Sequence, residues 1–186
     1  MRYSFIMERK TFEHSPCSVA RSLAVLGDWW NPLIIRECLH GVRRFDGFQR
    51  WLGIGRNILS RRLTLLEQEG VLERRLYQER PKRYEYYLTA KGYDAATLLL
   101  AMMPFGERWY FQSEPPPVTL YHRDTDKPVR PLLVDAETGQ PLDPKDVYSG
   151  PGPAFPGSES LRRERFTEFY RRRARAEARA PDDDQA

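Results

Sequence analysis

Between Gly55 and Leu88 the chain carries two different hydrophobic periods in succession, and together they leave few folds open. Leu59, Leu63 and Leu66 recur at i, i+4 and i+7, with Ile58 and Leu65 in support. That is the spacing of a helix with one face turned to a core. Its other face shows Arg56, Asn57, Ser60, Arg61 and Thr64, and Gly70 stands where a C′ glycine ends a helix. Residues 71–77 and 83–88 then lean toward strand, joined by a turn predicted at Gln78-Glu79-Arg80-Pro81-Lys82. An amphipathic helix with surface arginines, followed at once by a basic hairpin, suits a duplex polyanion: the helix enters a groove and the hairpin grips phosphates.

Upstream, 18–26 places Val19, Leu23 and Leu26 on one face of a short helix that stops at Gly27. Asp28 can cap a second helix over 29–39, because its carboxylate accepts an orphan backbone N–H; Pro32 falls in the first turn, where a missing donor is tolerated. His40-Gly41 closes that helix. Phe45, Phe48, Trp51 and Leu52 mark a third, with Asp46 as its cap, and Gly53-Ile54-Gly55 makes the turn. Thr89 caps a last helix running from 90 to about 111, which Pro104 should kink. The expected class is mainly α with a small β-wing, an α+β winged helix-turn-helix.

Eleven of the fifteen prolines follow Ser113, so the chain changes character there. The reading divides it into a main domain at 8–112, a Pro-rich linker with hairpins at 113–157, and a charged helix with an acidic tail at 158–186. Met7 is an alternative start, and no internal repeat is visible. No apolar run approaches the ~20 residues of a membrane-spanning helix. Arg2, Glu8, Arg9 and Lys10 leave no room for a signal-peptide core. A cytoplasmic protein is expected, with Cys17 and Cys38 as thiols rather than a structural disulfide. Net charge is only +4, but residues 17–112 hold 15 Lys and Arg against 10 Asp and Glu, so the basic excess is local. Neither a phosphate-binding glycine loop nor a Ser/His/Asp grouping appears, and His14, His40 and His122 lack ligand spacing. No enzyme, cofactor or metal is expected.

The sequence resembles the HxlR-type transcriptional regulators, relatives of the MarR group, over about 11–110. Its marks are Cys17 opening the first helix, Gly27-Asp28 before the second, and Arg44-Phe45 before the third. The recognition segment adds Leu59-Ser60-Arg61-Arg62-Leu63, Glu67 with Gly70, and Glu73-Arg74; the wing adds Tyr84-Glu85-Tyr86 and Leu88-Thr89 with Gly92. The resemblance implies a homodimeric regulator of double-stranded DNA, more often a repressor, paired through its first and last helices. Leu98, Leu99, Met102, Phe105, Trp109 and Tyr110 would supply the seam on the last helix. Two-fold pairing then asks for half-sites one turn, ~34–36 Å, apart. Gly55-Arg56 departs from the serine or threonine cap of many relatives, and Asp46-Gly47 puts a glycine where a better helix former is expected.

Within that frame Arg61 is the candidate for a bidentate guanine contact and Asn57 for adenine, with Arg56, Ser60 and Thr64 on the same face. Arg80, Lys82 and Arg83 at the wing tip would hold backbone or minor groove, and Arg43, Arg44 and Arg62 would reach phosphates. Each of these has a solvated or salt-bridged surface group as its alternative. The winged helix could instead serve as a protein-binding module, although apolar residues would then be expected at Arg56, Ser60 and Arg61. Cys17 opens a helix whose dipole favours a thiolate, so an electrophile or redox switch stands beside a buried seam residue as its reading. Trp29, Trp30, Trp51 and Trp109 could line a pocket for a small-molecule effector, or simply be core.

Residues 118–147 resemble a C-terminal appendage of some relatives, two hairpins with cysteines at zinc-ribbon positions. Here Asp124, Thr125, Asp135 and Thr138 stand in that neighbourhood, so hairpins without the metal are expected. Calcium on Asp124, Asp126, Asp135 and Glu137 is an alternative. From Ser158 on, eight arginines and four glutamates surround a narrow strip of Leu161, Phe166, Phe169 and Tyr170. That pattern reads as a solvated helix docked by its aromatics, or as an additional DNA-binding arm.

Overall fold

The computed structural model describes residues 17–147 and, outside that span, Phe12, Ser15, Ser149, Gly152, Glu164, Thr167, Glu168 and Arg171. Met7, His14 and most of the charged C-terminal segment, including Leu161, Phe166, Phe169 and Tyr170, lie outside the described residues. The chain divides into two compact units between Leu132 and Leu133.

The first unit contains α1 (Ser18–Leu26), α2 (Trp30–Leu39), α3 (Phe45–Leu52), α4 (Arg56–Gln68), β1 (Leu72–Glu79), β2 (Lys82–Leu88) and α5 (Ala90–Tyr110). This is the α+β class read from the sequence, five helices with a two-stranded antiparallel wing. Ile34, Ile35 and Cys38 of α2 form the centre of the core, meeting Phe48, Leu59, Leu63, Leu66 and the corner Val71-Leu72. Each large side chain buried there contributes roughly 1.5–3 kcal/mol. Asn31 is the one polar group deep in this centre besides Glu37 among the described residues; its amide donates to Val25 O at 2.6 Å and so ties α2 to the end of α1.

Local chemistry sets the element ends. The N-cap of α2 is Trp29, without a side-chain cap bond, so Asp28 stands one residue before the position read for it; its Oδ1 still accepts the Trp30 N–H at 3.1 Å. Asp46 does not cap α3: the N-cap is Arg44, and Asp46 sits inside the first turn, where its charge still faces the helix N-terminus. A Cβ on Gly47 would come within 3.1 Å of Val42 Cγ1, which accounts for a glycine inside so short a helix. At the far end of α4, the Val71 N–H bonds Leu66 O at 2.8 Å and the Gly70 N–H bonds Glu67 O at 2.9 Å. With Gly70 at φ 67°, this is a Schellman end that turns the chain directly into the wing. Thr89 Oγ1 accepts the Gly92 N–H at 3.2 Å and donates to Gly70 O at 2.6 Å, so one hydroxyl starts α5 and pins it to the end of α4. α5 runs through Pro104 as one assigned helix.

The wing is tighter than the sequence suggests. Gln78, Glu79 and Lys82 belong to the strands, and Arg80-Pro81 alone forms the turn. Gln78 Nε2 donates to Arg80 O at 3.0 Å and closes it. Tyr77 is the extra residue of a bulge between Leu76↔Tyr84 and Gln78↔Arg83. Arg44 pairs with Glu85 as an isolated bridge at the sheet edge, and the Tyr86 N–H bonds Arg43 O at 2.8 Å.

Several apolar residues face water. Ile58, expected inward, is exposed. Trp29, Trp51 and Trp109 are exposed as well, which overturns the core reading for three of the four tryptophans. On α1 and α5 the exposed set is Val19, Leu23, Tyr93, Leu98, Leu100, Met102, Phe105, Trp109 and Tyr110, while Leu26 and Leu99 pack against the core.

Two short hairpins follow α5, one in each unit. In the first, Tyr121 pairs with Pro128 and the Asp126 N–H bonds His122 O at 2.8 Å; in the second, Val134 pairs with Pro141 and the Gly139 N–H bonds Asp135 O at 2.8 Å. The positive φ falls at Asp126 and at Gly139. The same turn is therefore built twice, as the pair of hairpins expected over 118–147. Asp135 Oδ1 accepts the Thr138 and Glu137 N–H groups at 2.7 and 3.1 Å, which hold its carboxyl below the usual range. The acid thus organises the second turn by itself. Among the described residues no cluster of three or more His, Cys, Asp or Glu is placed to hold a metal ion, so the calcium alternative finds no support.

Candidate nucleic-acid interface

α3, the Gly53-Ile54-Gly55 turn and α4 form the helix-turn-helix. Gly53 takes the left-handed conformation at φ 63° that ends α3, and Ile54 is buried beneath the turn. With Leu59, Leu63 and Leu66 in the core, the opposite side of α4 carries Arg56, Asn57, Ser60, Arg61 and Thr64, all exposed. Gly55 provides no side-chain cap, so the orphan N–H groups at this end of α4 have no side-chain acceptor on the N-cap. Arg56 lies over the Phe45 ring, 5.7 Å from its centroid.

The basic residues separate into two groups. Arg62 binds Asp28 Oδ2 at 2.6 Å, with both side chains largely out of water. Arg43 donates to Cys38 O and, at 3.2 Å, to Val42 O, closing the carboxyl end of α2; its guanidinium also lies over Tyr87. Arg44 binds Glu85 Oε1 at 2.8 Å and stacks over Tyr77 at 4.3 Å. Glu85 also accepts the Tyr87 hydroxyl at 2.8 Å, and these two donors hold its carboxyl below the usual range. Arg74 links β1 to Glu67 of α4 at 2.8 Å and lies over Tyr84. Arg75 pairs with Glu73 and lies over Tyr87.

Arg56, Arg61, Arg80, Lys82 and Arg83 form the second group: exposed, and without an ion-pair partner among the described residues. The arginines that the sequence offered for phosphates therefore divide. Arg43 and Arg62 are engaged by the protein's own groups, Arg44 is shared with Glu85, and the wing tip is free. Trp29, one of the tryptophans offered for a pocket, and Ile58, expected inward, flank the free Arg61 in a recess of about 220 Å³.

Cys17 is exposed and free at the start of α1. Cys38 is free and buried, and desolvation pushes its thiol up to about 12. No described helix is long and apolar enough to cross a membrane.

Residues 25–114 match the family described as HxlR-like helix-turn-helix. An HTH-type transcriptional regulator of Mycobacterium tuberculosis strain H37Rv, Rv3095, itself uncharacterised, is 37% identical over 138 residues, covering 74% of this chain and 87% of its own length. Among solved structures, PA1607, described as a candidate transcription factor, is 37% identical with a TM-score of 0.69, over 77% of this chain and 100% of that one. A second candidate transcription factor, PA1374 from Pseudomonas aeruginosa, is 42% identical with a TM-score of 0.55, over 80% of this chain and 99% of its own. Fold, polar helix face and basic wing define a winged helix-turn-helix of the transcriptional-regulator class. The chain belongs to the HxlR-like helix-turn-helix family.

Proposed function

We propose that the protein is a homodimeric, sequence-specific regulator of double-stranded DNA that acts as a repressor in the cytoplasm. The observation that carries this reading is the separation of its cations: Arg44, Arg62, Arg74 and Arg75 are paired within the protein, while Arg56 and Arg61 on α4 and Arg80, Lys82 and Arg83 on the wing keep free charges. Asn57, Arg61 and Thr64 are assigned to base edges, with Arg56 and Ser60 at the margin of the same face. Arg80, Lys82 and Arg83 are assigned to the sugar–phosphate backbone. The dimer is supported by the apolar residues left exposed on α1 and α5, a larger set than an isolated domain carries comfortably. A protein-binding role for the wing is disfavoured by the polarity of the exposed α4 face.

Selection of duplexes from a random pool by the purified chain, followed by titration of variants, tests the assignment. Arg61→Ala should cost roughly 1–3 kcal/mol on the selected site and blur one base position. Lys82→Ala should weaken all duplexes alike and flatten the dependence of log K on log salt by about 0.9 for each phosphate that is no longer neutralised. Sedimentation should report a dimer. A monomer that ignores duplexes in dilute buffer refutes the proposal.

A second reading adds a switch at Cys17, and the observation favouring it is the exposure of that thiol at the start of α1. A regulator of this kind would lose operator affinity on mild electrophile treatment, and Cys17→Ser would abolish the response.

A further inference from the structure

At the flank of α4 that meets the start of α2, two apolar side chains stand in water where the hydrophobic pattern would bury them. Trp29 is 75% exposed and Ile58 42%. They line the recess of about 220 Å³ together with Asp28, Trp30, Arg61 and Arg62. Asp28 satisfies part of its wall from within, holding Arg62 Nη2 through one oxygen and the Trp30 N–H through the other, while Arg62 Nε is buried without an acceptor. What remains open is an indole, an isoleucine and the free guanidinium of Arg61.

Such a site has an apolar wall beside a single bidentate donor. In the major groove, duplex DNA offers one apolar group, the 5-methyl of thymine, next to the O6 and N7 acceptors of guanine on a neighbouring base pair. Charge complementarity selects the same occupant, because the wall is carried by a helix whose exposed face is cationic and polar. We propose that Trp29 and Ile58 form a receptor for a thymine methyl, making them specificity-determining residues beside Arg61. This rests on the DNA-binding reading above and extends it to one base. Each half-site then contains a thymine adjacent to the guanine held by Arg61.

The test uses the full chain and its selected duplex, with each thymine replaced in turn by deoxyuridine, which removes the methyl and nothing else. One position per half-site should weaken binding about fourfold, the factor expected for one buried methyl. 5-Bromouracil at that position, with a halogen of methyl size, should restore affinity. In Ile58→Ala, in the milder Ile58→Val and in Trp29→Ala the uracil penalty should shrink toward onefold, whereas Lys82→Ala should keep it. Duplex binding without a uracil penalty at any thymine overturns the methyl receptor while leaving DNA binding intact. A penalty that persists unchanged in all three recess variants does the same. Failure to retain any duplex refutes the DNA-binding reading itself.

Discussion

Asp28 joins two elements with one carboxylate, and separating its two jobs tests how the recognition helix is held. Oδ1 accepts the Trp30 N–H at 3.1 Å and Oδ2 faces Arg62 at 2.6 Å. The two side chains retain 24% and 20% of their exposure, so the pair sits between the surface and buried limits. Surface pairs contribute less than ~1 kcal/mol, and removing one partner of a buried pair costs ~3–5 kcal/mol. An intermediate figure of about 2 kcal/mol follows, sharpened by Arg62 Nε, which is already buried without an acceptor. Asp28→Asn keeps an oxygen for the cap and removes the charge, so it should cost about 2 kcal/mol. Asp28→Ala loses the cap as well, adding about 1 kcal/mol. Arg62→Met preserves the stem, and in the double variant Asp28→Asn/Arg62→Met the two losses should overlap by roughly 1–2 kcal/mol. Urea unfolding followed by circular dichroism, at constant slope, gives all four corners of the cycle. Strict additivity, or an Asp28→Asn variant as stable as the parent, refutes the argument. The same variants report on DNA: Arg62→Met should leave the salt slope unchanged, since its charge is already compensated.

Two further expectations come from the core. A Cβ at Gly92 would lie 2.3 Å from Val71 O, whereas one at Gly106 would meet nothing within 4 Å. Thermal melts should therefore show opposite signs within one helix, with Gly92→Ala losing several kcal/mol or failing to fold and Gly106→Ala gaining up to ~1 kcal/mol. Iodoacetamide should label Cys17 in the native chain and Cys38 only in denaturant, as mass spectrometry of the peptides would reveal. The Cys38 thiol, raised from 9.0 to about 12, contributes fully below pH 9, and that contribution is lost as pH rises toward 12. Cys38→Ala should flatten that part of the stability profile. Labelling of Cys38 at the native rate of Cys17 would contradict its burial.

The elements were legible where the signal is local. The Leu59, Leu63 and Leu66 spacing, the glycine at 70 and the threonine at 89 each act through neighbours within a few residues, and each element appears where they place it. What could not be read depends on partners far along the chain. Arg62 meets Asp28, and Arg44 meets Glu85, only because α2, α4 and β2 pack together. From sequence alone each of these arginines resembles Arg61. The exposed tryptophans fail for a related reason, since an apolar residue marks a need for cover without saying whether the chain itself provides it. The two hairpins over 118–147 are legible through resemblance, and in register their copies share Leu120 with Leu133, Thr125 with Thr138, Pro128 with Pro141 and Pro131 with Pro144. The residue in left-handed conformation is an aspartate in one copy and a glycine in the other.

Counting basic residues is a poor guide to how this surface meets a polyanion. A cation drives counterion release only so far as its charge is not already compensated by the protein. Of the 15 Lys and Arg in residues 17–112, several stitch the frame together: Arg62 to α2, Arg74 between α4 and β1, Arg44 across the sheet edge. Free charge on the recognition helix and wing reduces to Arg56, Arg61, Arg80, Lys82 and Arg83. Five cations and one short helix provide few phosphate anchors and few base contacts for a single protomer. Two-fold pairing doubles both without a new residue, and the exposed residues of α1 and α5 offer the surface for it. Electrostatics and the uncovered apolar face thus support the proposed dimer by separate routes, one from the insufficiency of the site and the other from the cost of leaving that face in water.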